Sequence, residues 1–175
     1  MKIKQILIVL TLACFVHANA QTNTQETADA VMNKAYTLAK KENKKVLLMF
    51  HASWCGWCKR MDANMEKEGV KAYFDKSFVI THLTVLEAKD KKHLENPGAM
   101  QMMEKYKGGK SGIPYWLIFN SKGKLLADSR DEKGQNIGCP ATEVEVAAFL
   151  AKLKKTTRIN KKEQEAVAKA FIIKE

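Results

Sequence analysis

The sequence predicts an α/β fold: a mixed sheet of about four to five strands with helices on both faces. Three observations lead there. Val46-Leu47-Leu48-Met49-Phe50 is an unbroken apolar run, the pattern of a central strand covered on both sides. Segments of helical period alternate with such runs, and helical crossovers between strands imply parallel pairing. Pro114 to Asn120 and Lys124 to Ser129 flank the turn Asn120-Ser121-Lys122-Gly123, which reads as a hairpin and adds antiparallel strands. The chain has 175 residues, enough for one domain with a proper core.

The elements follow in order. Gln21 to Gln25 is polar and irregular. Ala28, Val31, Met32, Ala35, Leu38 and Ala39 recur at helical spacing and end in a charged cluster, Lys40 to Lys45. The Val46–Phe50 strand leads into a turn, His51 to Cys55. A helix from Cys58 to about Glu68 follows, with Met61 and Met65 on one face; Gly69 stops it, and Val70 to Phe74 is a short helical return. Phe78 to Leu86 reads as a second buried strand and Glu87 to Asn96 as a charged connection. Pro97 opens a helix reaching about Tyr106. Ile137-Gly138-Cys139-Pro140 is a tight turn. Thr142 with Glu145 forms a capping box for a helix carrying Val146, Phe149, Leu150 and Leu153. Asn160 with Glu163 caps a last helix through Phe171. Residues 21–175 therefore read as one domain, with 154–175 a C-terminal helical extension.

Charge and the N-terminus bound the function. The net charge is +11, from 30 Lys and Arg against 19 Asp and Glu. The lysines are scattered, so a solvated basic surface is expected and no nucleic-acid partner. Lys2 and Lys4, the apolar stretch Ile6 to Val16, and Ala18-Asn19-Ala20 read as a signal peptide over residues 1–20. No stretch is long enough for a stable membrane span. The expected location is periplasmic or secreted. The rival reading is a lipoprotein through Cys14, but Thr11 stands where a lipobox wants leucine.

The chemistry centres on Trp54-Cys55-Gly56-Trp57-Cys58. Two cysteines three apart at a strand-to-helix turn serve dithiol–disulfide exchange. Cys55 falls at a helix N-terminus, where unpaired N–H groups and the helix dipole favour its thiolate. Cysteines so placed titrate at roughly 3.5–7.5, against about 8.5 for a free thiol. Cys58, one turn on, can resolve a mixed disulfide formed by Cys55. The competing structural readings are an inert disulfide or half a metal site. Without Cys14, three cysteines remain, too few for a four-cysteine zinc site.

This motif, followed by Gly112-Ile113-Pro114 and the apolar run Tyr115-Trp116-Leu117-Ile118-Phe119, resembles the thioredoxin superfamily. The resemblance covers roughly Thr27 to Leu153 and is nearest to secreted bacterial thioredoxin-like proteins with an A-S-W-C-G-W-C-K core, here Ala52 to Lys59. It implies catalytic Cys55 and Cys58, supported by Trp54, Gly56, Trp57 and a cis Pro114. It further implies a substrate groove formed by the Ile113 backbone and by the turn at Gly138 and Cys139. No cofactor is implied. The implied partners are protein thiol or disulfide substrates and a redox protein that recycles the pair.

Two departures from the family pattern stand out. Cys139 replaces a small residue of the groove turn. It is either a buried stand-in for alanine or a third thiol able to bond Cys55. Met49 replaces a buried acid six residues before the first cysteine, leaving His51, Glu87 and Lys59 as conceivable substitutes. Neither His82 nor His93 has a partner visible in sequence. Met100, Met102 and Met103 either pack the helix after Pro97 or, with the cysteines, bind Cu(I). The function expected is an exported thiol–disulfide oxidoreductase that reduces protein disulfides. The alternatives are a disulfide oxidase or isomerase, and a non-enzymatic copper-chaperone or binding module.

Overall fold

A computed structural model describes residues 25–173. The signal peptide expected at residues 1–20 and the lipobox alternative at Cys14 lie outside them. β1, Lys45–His51, is the centre of a four-stranded sheet of order β2-β1-β3-β4. β2, Phe78–Thr84, pairs with it in parallel, from Lys45↔Phe78 to His51↔Thr84. β3, Tyr115–Phe119, pairs antiparallel on the other side, from Val46↔Phe119 to Phe50↔Tyr115. β4, Leu125–Asp128, completes the hairpin, with a register shift at Ile118/Phe119.

β1 is covered on both faces because its alternate residues enter two separate cores. Val46, Leu48 and Phe50 pack with Met32, Ala35 and Ala39 of α1, Ala28–Lys41, and with Met103 of α4, Ala99–Lys105. Leu47 and Met49 pack on the opposite face. There they meet Met61 and Met65 of α2, Gly56–Met65, and Tyr73 and Phe74 of α3, Lys71–Ser77. The same core takes Phe149 of α5, Glu143–Thr156, and Phe171 of α6, Lys161–Phe171. Both capping boxes form, Thr142 with Glu145 and Asn160 with Glu163. The Lys67 ammonium donates to the Ala170 carbonyl at 2.7 Å, tying the end of α6 to the loop after α2.

Several boundaries differ from the sequence reading. α2 begins at Gly56, two residues before the expected start at Cys58, because the Cys55 side chain is its N-cap. The helix after Pro97 starts only at Ala99: Gly98 takes a left-handed φ of 85°, a conformation natural to glycine. Within the charged connection, Lys89–Leu94 forms a 3-10 turn with no buried residue, so it leaves no apolar period to read. Between β4 and α5 the described chain makes only an isolated bridge, Arg130↔Asn136, and no fifth strand. Gly134 and Gly138, both at positive φ, and Pro140 bend this segment out of extended pairing.

Candidate redox site

The buried end of β1 and the start of α2 converge on the two cysteines. Cys55 and Cys58 are joined in a disulfide, S–S 2.03 Å. They are 2% and 1% exposed, and pack with Ala52 and Ile113 in a small apolar cluster. The Cys58 N–H donates to Cys55 Sγ at 3.1 Å, so the first sulfur takes one of the helix's unpaired N-terminal donors. The Ile113 carbonyl lies 3.8 Å from Cys55 Sγ, and the Ile113–Pro114 peptide bond is cis.

Two tryptophans flank the pair and face outward, Trp54 at 59% and Trp57 at 50% exposed. Trp54 is fixed by its Nε1–H, which donates to the Leu86 carbonyl at 2.8 Å. The Arg60 guanidinium sits over the Trp57 ring, 5.7 Å from its centroid. A side chain at Gly56 would meet no atom within 4 Å. The surface flanking the disulfide is thus aromatic and open at Trp54, Gly56 and Trp57.

The loop carrying the cysteines is clamped by the segment that follows β2. Glu87 is buried, accepting from the Ser53 N–H at 2.5 Å and from the Ser53 hydroxyl at 2.8 Å. Burial alone would raise its pKa. The Ser53 hydrogen bonds and the Lys91 and His51 charges outweigh burial and hold it below the usual carboxylate value.

A second clamp was not found from sequence. The Asn136 amide nitrogen lies within 3.1 Å of the Ser111 carbonyl, 3.3 Å of Gly112 and 3.0 Å of Pro114. Its Oδ1 accepts from the Gly138 N–H at 3.0 Å. Asn136 therefore ties the proline loop to the Gly138 turn. Gly138 has a φ of 56° and lies against Pro114. A lone asparagine in a polar stretch carries no signal of such distant partners.

Cys139 is buried, but among the α2–α5 core residues such as Met61 and Phe149, outside the cluster holding Cys55 and Cys58. Burial pushes its thiol up to about 11. Met49 is fully buried in the same core. Lys59 and His93 are exposed. His82, which had no visible partner in sequence, binds Asp62 of α2, Nε2 to Oδ1 2.9 Å. Met103 is core, with Met100 and Met102 partly buried beside it. Among the described residues no three His, Cys, Asp or Glu side chains gather as metal ligands.

A thioredoxin-like domain family model matches residues 32–130, more than half of the chain, and spans the disulfide and Pro114. The chain belongs to the thioredoxin-like domain family. Among solved structures, this thioredoxin-like chain is similar to a disulphide isomerase from Xylella fastidiosa Temecula1, with 21% identity, 93% of this chain and 96% of that one covered, and TM-score 0.48. It is similar to a thioredoxin from Thermus thermophilus, with 18% identity, 75% and 84% covered, and TM-score 0.45. It is also similar to the C-terminal domain of Neisseria meningitidis DsbD in its oxidised form, with 23% identity, 60% and 84% covered, and TM-score 0.41. No curated protein matches significantly. In this thioredoxin-like domain, Cys55 and Cys58 form a CXXC-type disulfide. No helix among the described residues is long and apolar enough to cross a membrane.

Proposed function

We propose that the protein is an exported thiol–disulfide oxidoreductase that reduces protein disulfides through Cys55 and Cys58. The observation that carries the reading is a bonded CxxC pair at a helix N-terminus flanked by two exposed tryptophans. In the dithiol form the Cys55 thiolate attacks a substrate disulfide, forming a mixed disulfide and releasing one substrate thiolate. Cys58, deprotonated, attacks Cys55 Sγ; the Cys55–Cys58 bond forms and the second substrate sulfur leaves. Two electrons pass to the substrate. A second dithiol protein returns them.

The remaining site residues take supporting roles in this scheme. The Ile113 backbone and the Gly138 turn, tied together by Asn136, bound the strip on which an extended substrate segment lies. Trp54 and Trp57 offer it apolar contact. Export rests on residues 1–20; a mature protein beginning at Gln21 is expected from N-terminal sequencing of the exported form.

Direction is decided by potential. Equilibrating the protein against thiol redox buffers, with free thiols counted by mass, should place the pair below about −220 mV, the range of proteins that reduce others. A value above about −180 mV would make it an oxidase or isomerase with the same two cysteines in the same roles.

A further inference from the structure

His51, His82 and Asp62 form a cluster, on β1, β2 and α2, that the exchange scheme does not use. The two imidazole rings lie 4.9 Å apart, centroid to centroid. His82 Nε2 meets Asp62 Oδ1 at 2.9 Å, and His51 Nε2 meets Thr84 Oγ1 at 3.2 Å. Two of its three members stand on the elements that lead into and out of the cysteine turn. His51 ends β1, four residues before Cys55. Asp62 is four residues after Cys58 on α2, hence one turn along the same helix face. His51 also lies on the sheet face of Leu47 and Met49, the face α2 covers.

Reduction changes the charge this cluster sees. The disulfide is neutral, and the pair is almost wholly buried. Once it opens, a thiolate at Cys55 is a new negative charge in an apolar shell, where little water screens it. The charged groups facing His51 are His82, Asp62 and Glu87. Two adjacent imidazoles resist carrying two charges, while Asp62, hydrogen-bonded to His82, and the more distant Glu87, bound to Ser53, favour a charge on the pair. The 4.9 Å ring spacing therefore suits a single added proton on the pair. In the disulfide form burial and then the His82 neighbour hold His51 below its usual value, although Asp62 and Glu87 pull the other way, which leaves the ring ready to accept.

We propose that the His51–His82 pair, with Asp62 as its counter-charge, takes up one of the two protons that accompany reduction of Cys55–Cys58. This rests on the redox reading above. The step balances. A partner dithiol gives two electrons and two protons and closes its own disulfide; the Cys55–Cys58 bond breaks. One proton goes to Cys58 Sγ, the other to the histidine pair, and Cys55 remains a thiolate.

The test is the pH dependence of the redox equilibrium, with dithiothreitol as reductant and its own titration subtracted. Two protons per two electrons make the tendency to be reduced fall roughly 100-fold per pH unit; one proton makes it fall roughly 10-fold. Wild type should show the steeper dependence between the thiolate titration and that of the histidine pair. His51→Asn and His82→Asn should show the shallower one over the same window. A merely structural role would not change this slope. A second measurement needs no variant: histidine side-chain NMR titration of the wild-type chain in both redox states. Reduction should move the pair's midpoint upward. Equal slopes in wild type and variants, or identical histidine titrations in the two states, would overturn the proposal. Because dithiothreitol replaces any protein client, a redox-linked histidine shift in a protein that reduces no protein disulfide would overturn the functional reading alone.

Discussion

At the residue scale, Glu87 and Cys139 give opposite predictions about charge. Glu87 is buried and holds the cysteine loop through Ser53. Its pKa is lowered in the folded chain from an ordinary 4.5. A carboxyl held low stabilises the fold above its unfolded value and loses that contribution as pH falls through its folded value. Glu87→Gln should therefore lower the unfolding free energy at neutral pH, measured by urea titration, by about 1–3 kcal/mol for a weakened charged acceptor. It should also flatten the loss of stability below about pH 4.5; an unchanged acid limb would contradict the clamp. Cys139 is buried with its thiol at about 11. We expect it to resist iodoacetamide at pH 8 under conditions that label reduced Cys55 fully, read by peptide mapping. Sequence placed Cys55, Cys58 and the Gly138 turn. It did not give the Asp62 partner of His82 or the carbonyls bound by Asn136. Those contacts join residues 20 or more positions apart, and a single hydrogen bond across such a distance imposes no period on the chain.

At the scale of elements, legibility follows burial. β1 was readable because both faces are packed, and α5 and α6 because each opens on a capping box above a buried stripe. The 3-10 turn at Lys89–Leu94 buries nothing and so left no pattern. Cys55 stands at the N-terminus of α2, as the sequence placed it, and only the range opening at Cys58 was too short: the helix begins at Gly56, directly after its cysteine cap. Two substitutions separate the contributions of the C-terminal helices. Phe171 is fully buried against Phe149 and Phe74, so Phe171→Ala should cost about 3–5 kcal/mol in urea unfolding. Thr142→Ala removes one helix cap and should cost about 1 kcal/mol. Equal small losses would mean that α6 does not belong to the cooperative core.

Over the whole molecule, two cores are stacked on one sheet, and the chemistry sits where the central strand hands over to α2. The sequence carries a net charge of +11, while the disulfide packs in an apolar cluster with Ala52 and Ile113. Clients bearing acidic surfaces should therefore be met faster at low salt, with the exchange step itself governed by the cysteines. The most direct measurement is a trap. Cys58→Ser, reduced and mixed with a disulfide-bonded protein substrate, should accumulate a mixed disulfide that peptide mapping assigns to Cys55. The same substrate should be turned over without accumulation by the wild-type chain. Absence of any mixed disulfide, or one formed through Cys139 instead, would contradict the assignment of Cys55 as nucleophile and Cys58 as the thiol that resolves it.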